Sequence, residues 1–191
     1  MAIPHLVLLN GPPGIGKTAL AGCYLQEHPL ALNLDIDSIR CSMGQWEVHG
    51  RSKHLARALA AEMAGTHLQS GFDVVVPQLL ARADFIEVLD DVAAAEGTEF
   101  HEILLVATAE EAFARFLARR TAMDASGVRH PAGTADHTVE TIAAISQELE
   151  LIPKARARTR VINAGAGGPD TVYAALPALL DTTPSTGLTE R

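Results

Sequence analysis

The sequence predicts an α/β domain, a three-layer sandwich with a five-stranded parallel sheet and helices on both faces. Three observations lead there. Short apolar runs of β-type residues alternate with longer segments of helical periodicity, as parallel strands joined by crossover helices require. Runs such as Val74-Val75-Val76 are apolar throughout, as in strands covered on both sides. A chain of 191 residues with 48% hydrophobic content is enough for one core and short for two.

The elements follow in order. Residues 3–9 are an apolar run ending at Asn10 and read as a buried strand. A helix from residue 16 to about 27 stops near His28-Pro29. Residues 31–34 are a second strand that runs into Asp35-Ile36-Asp37. Residues 51–69 have helical apolar spacing through Leu55, Leu59, Met63 and Leu68, and Ser70-Gly71 stops them. Residues 73–77 hold the third strand, 82–95 a helix closed by Gly97, and 100–107 the fourth strand. Thr108 and Glu111 have capping-box spacing, which starts a helix running to about residue 120. Residues 124–135 contain Ser126-Gly127, Pro131 and Gly133 and read as a mobile loop. A helix over 136–152 ends at Pro153, and residues 159–162 are the fifth strand. Pro169 suits a first helical position, opening a last helix to about residue 180. Residues 1–181 therefore form one domain, followed by a Thr/Pro/Ser/Gly-rich tail, 182–191, expected to fray. Right-handed crossovers bring the C-terminal ends of all strands to one edge, where ligands bind. Asn10, Asp35, Gln78, Thr108 and Asn163 fall near that edge.

Residues 11–18 read GPPGIGKT, a GxxxxGK[ST] phosphate loop between a predicted strand and a predicted helix. Glycines let backbone N–H groups converge on phosphate oxygens, and the helix adds its positive end. The nucleotide-contacting set is Gly11, Pro12, Pro13, Gly14, Ile15, Gly16, Lys17, Thr18 and Ala19. Lys17 is placed for the β- and γ-phosphates of ATP, and Thr18 for Mg²⁺. The sandwich is thus of the P-loop NTPase type.

A carboxylate near the acceptor hydroxyl is what phosphoryl transfer needs next. Asp37 has that place across the cleft from the loop, or else it caps the next helix. Asp35 is a candidate for Mg²⁺ through water, or for holding Asp37 in place. Arg40 is a candidate clamp for Asp37 or for an acceptor phosphate. GPPGIGKT, LDIDSIR and RFLARR together resemble the P-loop kinases that include polynucleotide 5′-kinases, zeta-type toxins and antibiotic phosphotransferases. The resemblance spans roughly residues 3–163. It implies that Asp37 is the general base, with Arg40 three residues on in the acceptor site. It also implies a small lid over about residues 122–135, which carries Arg129 and His130. Arg115 and Arg119 precede the lid on one helix face, with Arg120 beside them. The resemblance sends such arginines to the transferred phosphate and the adenine, and Arg119 is the catalytic candidate. Otherwise they only oppose a helix dipole.

Other features narrow the function. Arg51, Lys53, His54 and Arg57 form a basic cluster that reads as a solvated face more readily than as a phosphate site. The eight histidines have no HxxxH or HExxH spacing, so no zinc site is expected. Gln78 follows the third strand where many P-loop NTPases carry an acid that holds Mg²⁺ through water. An Asp-Gly-x-Pro-Arg signature is absent, which argues against a nucleoside monophosphate kinase. A formal net charge of -8 argues against extended nucleic-acid or anionic-membrane binding. Cys23 and Cys41 match no metal or redox spacing and read as reduced thiols. With no signal-peptide pattern and no spanning apolar run, the expected location is the cytoplasm. The expected activity is transfer of the ATP γ-phosphoryl group to a hydroxyl of an unidentified acceptor, a small molecule or a nucleic-acid end. The alternative is a nucleotide-binding switch or weak ATPase that acts through a partner.

Overall fold

A computed structural model describes residues 3–126, 136–165 and 167–180. The expected tail and residues 127–135 of the expected lid lie outside the described residues. Five parallel strands make one sheet in the order β2-β3-β1-β4-β5. They are β1 (His5–Asn10), β2 (Leu32–Asn33), β3 (Val74–Pro77), β4 (Glu99–Val106) and β5 (Arg160–Asn163). The helices are α1 (Lys17–Glu27), α2 (Ile36–Cys41), α3 (Ser52–Gln69), α4 (Ala83–Ala95) and α5 (Ala109–Ser126). They continue with α6 (Val139–Leu149), α7 (Ile152–Ala155), α8 (Pro169–Tyr173) and α9 (Leu176–Leu180).

Alternation along the strands sends side chains into two cores. Leu6, Leu8, Val74, Val76 and Leu104 face α3 and α4 in one. Val7, Leu9, Val75, Ile103 and Leu105 meet α1 and the C-terminal helices in the other. Both faces are buried, which explains why the strands are apolar throughout. Register pins β1 between β3 and β4, with Leu6 opposite both Val74 and Phe100.

Several expectations are corrected. The buried stripe of α3 is Ala56, Ala60, Ala64 and Leu68, while Leu55, Leu59 and Met63 are exposed. Both stripes have helical spacing. The alanines win because a small residue lets the helix lie close on the sheet. Helix α5 continues to Ser126 rather than about residue 120, since no breaker precedes Gly127. Helix α6 starts at Val139, where Thr138 and Thr141 form a reciprocal capping box, and ends at Leu149. Pro153 does not terminate that helix; it sits in the first turn of α7. The last predicted helix is two, because Pro177 in the first turn of α9 has no N–H to continue the ladder from α8.

No helix among the described residues is long and apolar enough to cross a membrane. Histidine spacing along the chain also misses a contact made across strands. Strand register sets His5 opposite Glu99, two residues before His101, at the edge away from the phosphate loop. The two rings share a hydrogen bond, His5 Nδ1 to His101 Nε2 at 2.9 Å, and Glu99 lies beside both. Their ligating atoms lie within 4.8 Å of one another. Burial, then His5, draws His101 down to about 4.

Candidate active site

The phosphate loop leaves the end of β1 under tight control. Asn10, buried at that end, accepts the Gly11 N–H (2.8 Å) and the Leu80 N–H (2.9 Å) on Oδ1. It donates Nδ2 to the Leu80 carbonyl at 2.8 Å. The loop is thereby tied to the segment after β3. Gly14 has φ +77 and lies against α5 so closely that a Cβ would sit 2.0 Å from the Ala112 carbonyl oxygen. Gly16, at φ +108, faces open space instead. Only glycine serves at both positions, for strain and contact in the first and for strain in the second.

Lys17 opens α1 and folds its ammonium back onto the loop, donating to the Gly11 (2.7 Å) and Pro12 (2.9 Å) carbonyls. Burial and, after it, the nearby Arg119 guanidinium draw its pKa down to about 7, against the opposing pull of Asp37 and Asp35. One guanidinium and two carboxylates therefore act on one ammonium.

Asp35 caps α2. Its carboxylate accepts the backbone N–H of Asp37 (3.0 Å) and Ser38 (3.4 Å), and the Ser38 hydroxyl at 3.1 Å. The capping role weighed for Asp37 thus belongs to Asp35, and Asp37 is the second residue of the helix. Thr18 offers a hydroxyl in the first turn of α1, and Asp35 and Asp37 act on the same ammonium. The Thr18 hydroxyl and the Asp35 carboxylate are oxygen donors of the kind Mg²⁺ takes.

Two cavities meet at the loop. One, of about 290 Å³, runs from Gly14 to Leu20 along the loop and on to Gly168 and Pro169 at the start of α8. Arg115 borders it, donating to the carbonyls of Ala164 (2.8 Å) and Gly165 (3.1 Å) and so tying α5 to the end of β5. The other, of about 420 Å³, lies on the far side of the loop between α2, α3 and α5. Asp37, Arg40, Gln78 and His137 line it, and so do Lys53 and Arg57. Gly14 and Arg119 belong to both walls. Arg120 turns away to pair with Asp136 at 2.8 Å.

The basic cluster that reads more readily as a solvated face than as a phosphate site contributes Lys53, which is exposed, and Arg57, half-buried, to the wall of the second cavity. Their spacing of four, on one side of α3, was the available signal. Sequence reasoning missed Asn10 as a clamp, and His137, whose ring packs edge-on to Phe116 at 5.1 Å. Burial lowers the His137 pKa.

Comparisons with known proteins agree with this geometry. No curated protein matches the chain. Among solved structures, the tunicamycin resistance protein of Deinococcus radiodurans aligns with TM-score 0.62 and 16% identity, over 94% of this chain and 97% of that one. A gluconokinase from Sinorhizobium meliloti 1021 aligns with TM-score 0.58 and 16% identity, over 94% of each chain. The APS kinase of Mycobacterium tuberculosis in complex with AMPPNP and APS aligns with TM-score 0.60 and 17% identity, over 95% of this chain and 100% of that one. These likenesses establish the fold. The AAA domain family model matches residues 6–145, which include the phosphate loop, both carboxylates and the arginine helix, and the chain therefore belongs to that family.

Proposed function

We propose that the chain is an ATP-dependent phosphotransferase that moves the γ-phosphoryl group of ATP to a hydroxyl of a small molecule or a nucleic-acid end. The observation that carries this reading is the meeting of two cavities at Gly14 and Arg119. One is walled by the phosphate loop and the other contains a carboxylate, Asp37. A simple ATPase needs the first cavity but not the second. The kinases that share the fold support the same reading.

The loop N–H groups from Gly14 to Thr18 hold the β- and γ-phosphates, and Lys17 exchanges its two loop carbonyls for phosphate oxygens. Thr18 and Asp35 would hold Mg²⁺, which when bound would neutralise charge on the β- and γ-phosphates. Arg115 flanks the nucleotide from α5, already fixed by the Ala164 and Gly165 carbonyls. Asp37 accepts the proton of the acceptor hydroxyl as its oxygen bonds to the γ-phosphorus. The bond from that phosphorus to the β–γ bridging oxygen breaks, and ADP leaves with the electron pair. Arg119, which reaches both cavities, offsets charge on the phosphoryl group in transit. Asp35 holds the Asp37 backbone in place by accepting its N–H.

Gln78 favours the second reading, a nucleotide switch, because it leaves no acid at the end of β3. Incubation with γ-labelled ATP and pools of hydroxyl metabolites, antibiotics and 5′-hydroxyl oligonucleotides separates the two. A kinase yields labelled product and ATP turnover that depend on one pool. ATP binding with no phosphorylated product from any pool favours the switch.

A further inference from the structure

The wall of the second cavity carries Arg40, Lys53, Arg57 and Arg119 against one carboxylate, Asp37. This excess of positive charge stands in a chain of formal net charge -8. Among the described residues, none of the four cations takes part in an ion pair.

The cations are oriented by neutral groups. Arg40 donates Nε to the Ser52 hydroxyl at 2.9 Å and lies 4.9 Å from the centre of the Trp46 ring. Ser52 is itself held by the Trp46 carbonyl at 2.8 Å. Arg57 lies over the Phe85 ring at 5.2 Å. A hydroxyl, a carbonyl or an aromatic face fixes a guanidinium in direction without neutralising it. Lys53, four residues before Arg57, adds a charge on the same side of α3. Charges held this way are preorganised for an anion. A cationic acceptor would be repelled, and a neutral one would leave the charges unused.

Resting on the kinase reading above, we propose that the acceptor is a small anionic hydroxyl compound. Its carboxylate or phosphate seats against Arg40, Lys53 and Arg57, while its hydroxyl is presented to Asp37 and Arg119. The cavity, of about 420 Å³, has the size of a metabolite site. The acidic chain disfavours a polymer of phosphates.

Trp46 provides the readout, being the single tryptophan of the chain and in contact with Arg40. The full chain, saturated with AMPPNP, is titrated with two matched pairs, D-gluconate against sorbitol and glycerol 3-phosphate against glycerol. At least one anion is expected to change Trp46 fluorescence saturably, with affinity at least about tenfold above its neutral twin. Which anion does so distinguishes carboxylate from phosphate. The Lys53→Gln/Arg57→Gln double variant is expected to lose about tenfold or more in that affinity. Lys53→Arg, which keeps the charge, is expected to retain it. Equal binding of anion and neutral twin, no binding of either anion, or unchanged anion binding by the double variant overturns the proposal. Tighter binding of a 5′-hydroxyl oligonucleotide than of both anions overturns it as well. AMPPNP affinity, measured in the same samples, separates the two failures. Intact nucleotide binding without charge preference removes only the acceptor class, whereas absent nucleotide binding removes the kinase reading with it.

Discussion

Two charged clusters on this sheet are built in opposite ways. On β4, Glu102 is buried and fully engaged: it accepts Arg156 Nε at 2.7 Å and the Thr159 hydroxyl at 2.8 Å. Arg156 also pairs with Asp90 at 3.2 Å, and Arg158 closes on the same aspartate. Every charge there has an opposite charge beside it. In the second cavity Arg40 and Arg57 are steered by a hydroxyl, a carbonyl and aromatic rings, and among the described residues neither forms an ion pair. A closed network serves the fold, because opening it strands a buried charge. An open one serves a ligand, because its missing partner arrives from solution.

The comparison breaks most severely at the closed end. Arg156→Leu leaves Glu102 buried with one neutral partner. The expected cost is about 3–5 kcal/mol of stability, a melting midpoint lower by roughly 10 °C. Calorimetric melting checks this, and an unchanged midpoint would mean that the network contributes nothing. At the open end the prediction reverses. Lys17→Ala should leave the melting midpoint of the nucleotide-free protein nearly unchanged. ATP affinity should fall by about 2–5 kcal/mol, because the cation facing the phosphates is gone. Titration calorimetry measures both proteins, and equal ATP affinity would refute the role of Lys17.

A smaller effect sharpens the same contrast. Lys17 has a pKa of about 7 in the nucleotide-free protein, so its ammonium is present below that pH and lost above it. Arriving phosphates favour the charged form. Binding at pH 8 should therefore take up close to one proton, and binding at pH 6 almost none from this group. Affinity should fall as pH rises through 7, by at most about tenfold per unit. Calorimetry in buffers of different ionisation enthalpy counts the proton, and Lys17→Ala should abolish the uptake.

What could be read from the sequence was what is local in the chain. The phosphate loop was legible because its chemistry lies within residues 11–18, between a strand and a helix. The strands were legible because Leu6 to Leu9 and Val74 to Val76 are buried on both sides and apolar throughout. The buried face of α3 was not, because Leu55, Leu59 and Met63 outscore alanine in hydrophobicity, whereas closeness to the sheet selects Ala56, Ala60 and Ala64. Asp35 and Asp37 are chemically alike and two apart, and only the turn into α2 distinguishes the cap from the residue that lines the cavity. The wall of Arg40, Lys53, Arg57, Arg119 and His137 is assembled from four separate segments, and no spacing rule reports it.

The central claim is that Asp37 takes the proton of an acceptor hydroxyl while the loop holds ATP. Single turnover of γ-labelled ATP with the acceptor identified by the screen, comparing the native chain with Asp37→Asn, tests it most directly. Asparagine preserves shape and removes the proton acceptor, and the cap on α2 is untouched because Asp35 supplies it. Transfer should slow by roughly two to four orders of magnitude, with ATP affinity and melting midpoint little changed. Transfer by the Asp37→Asn protein at the native rate would contradict the account.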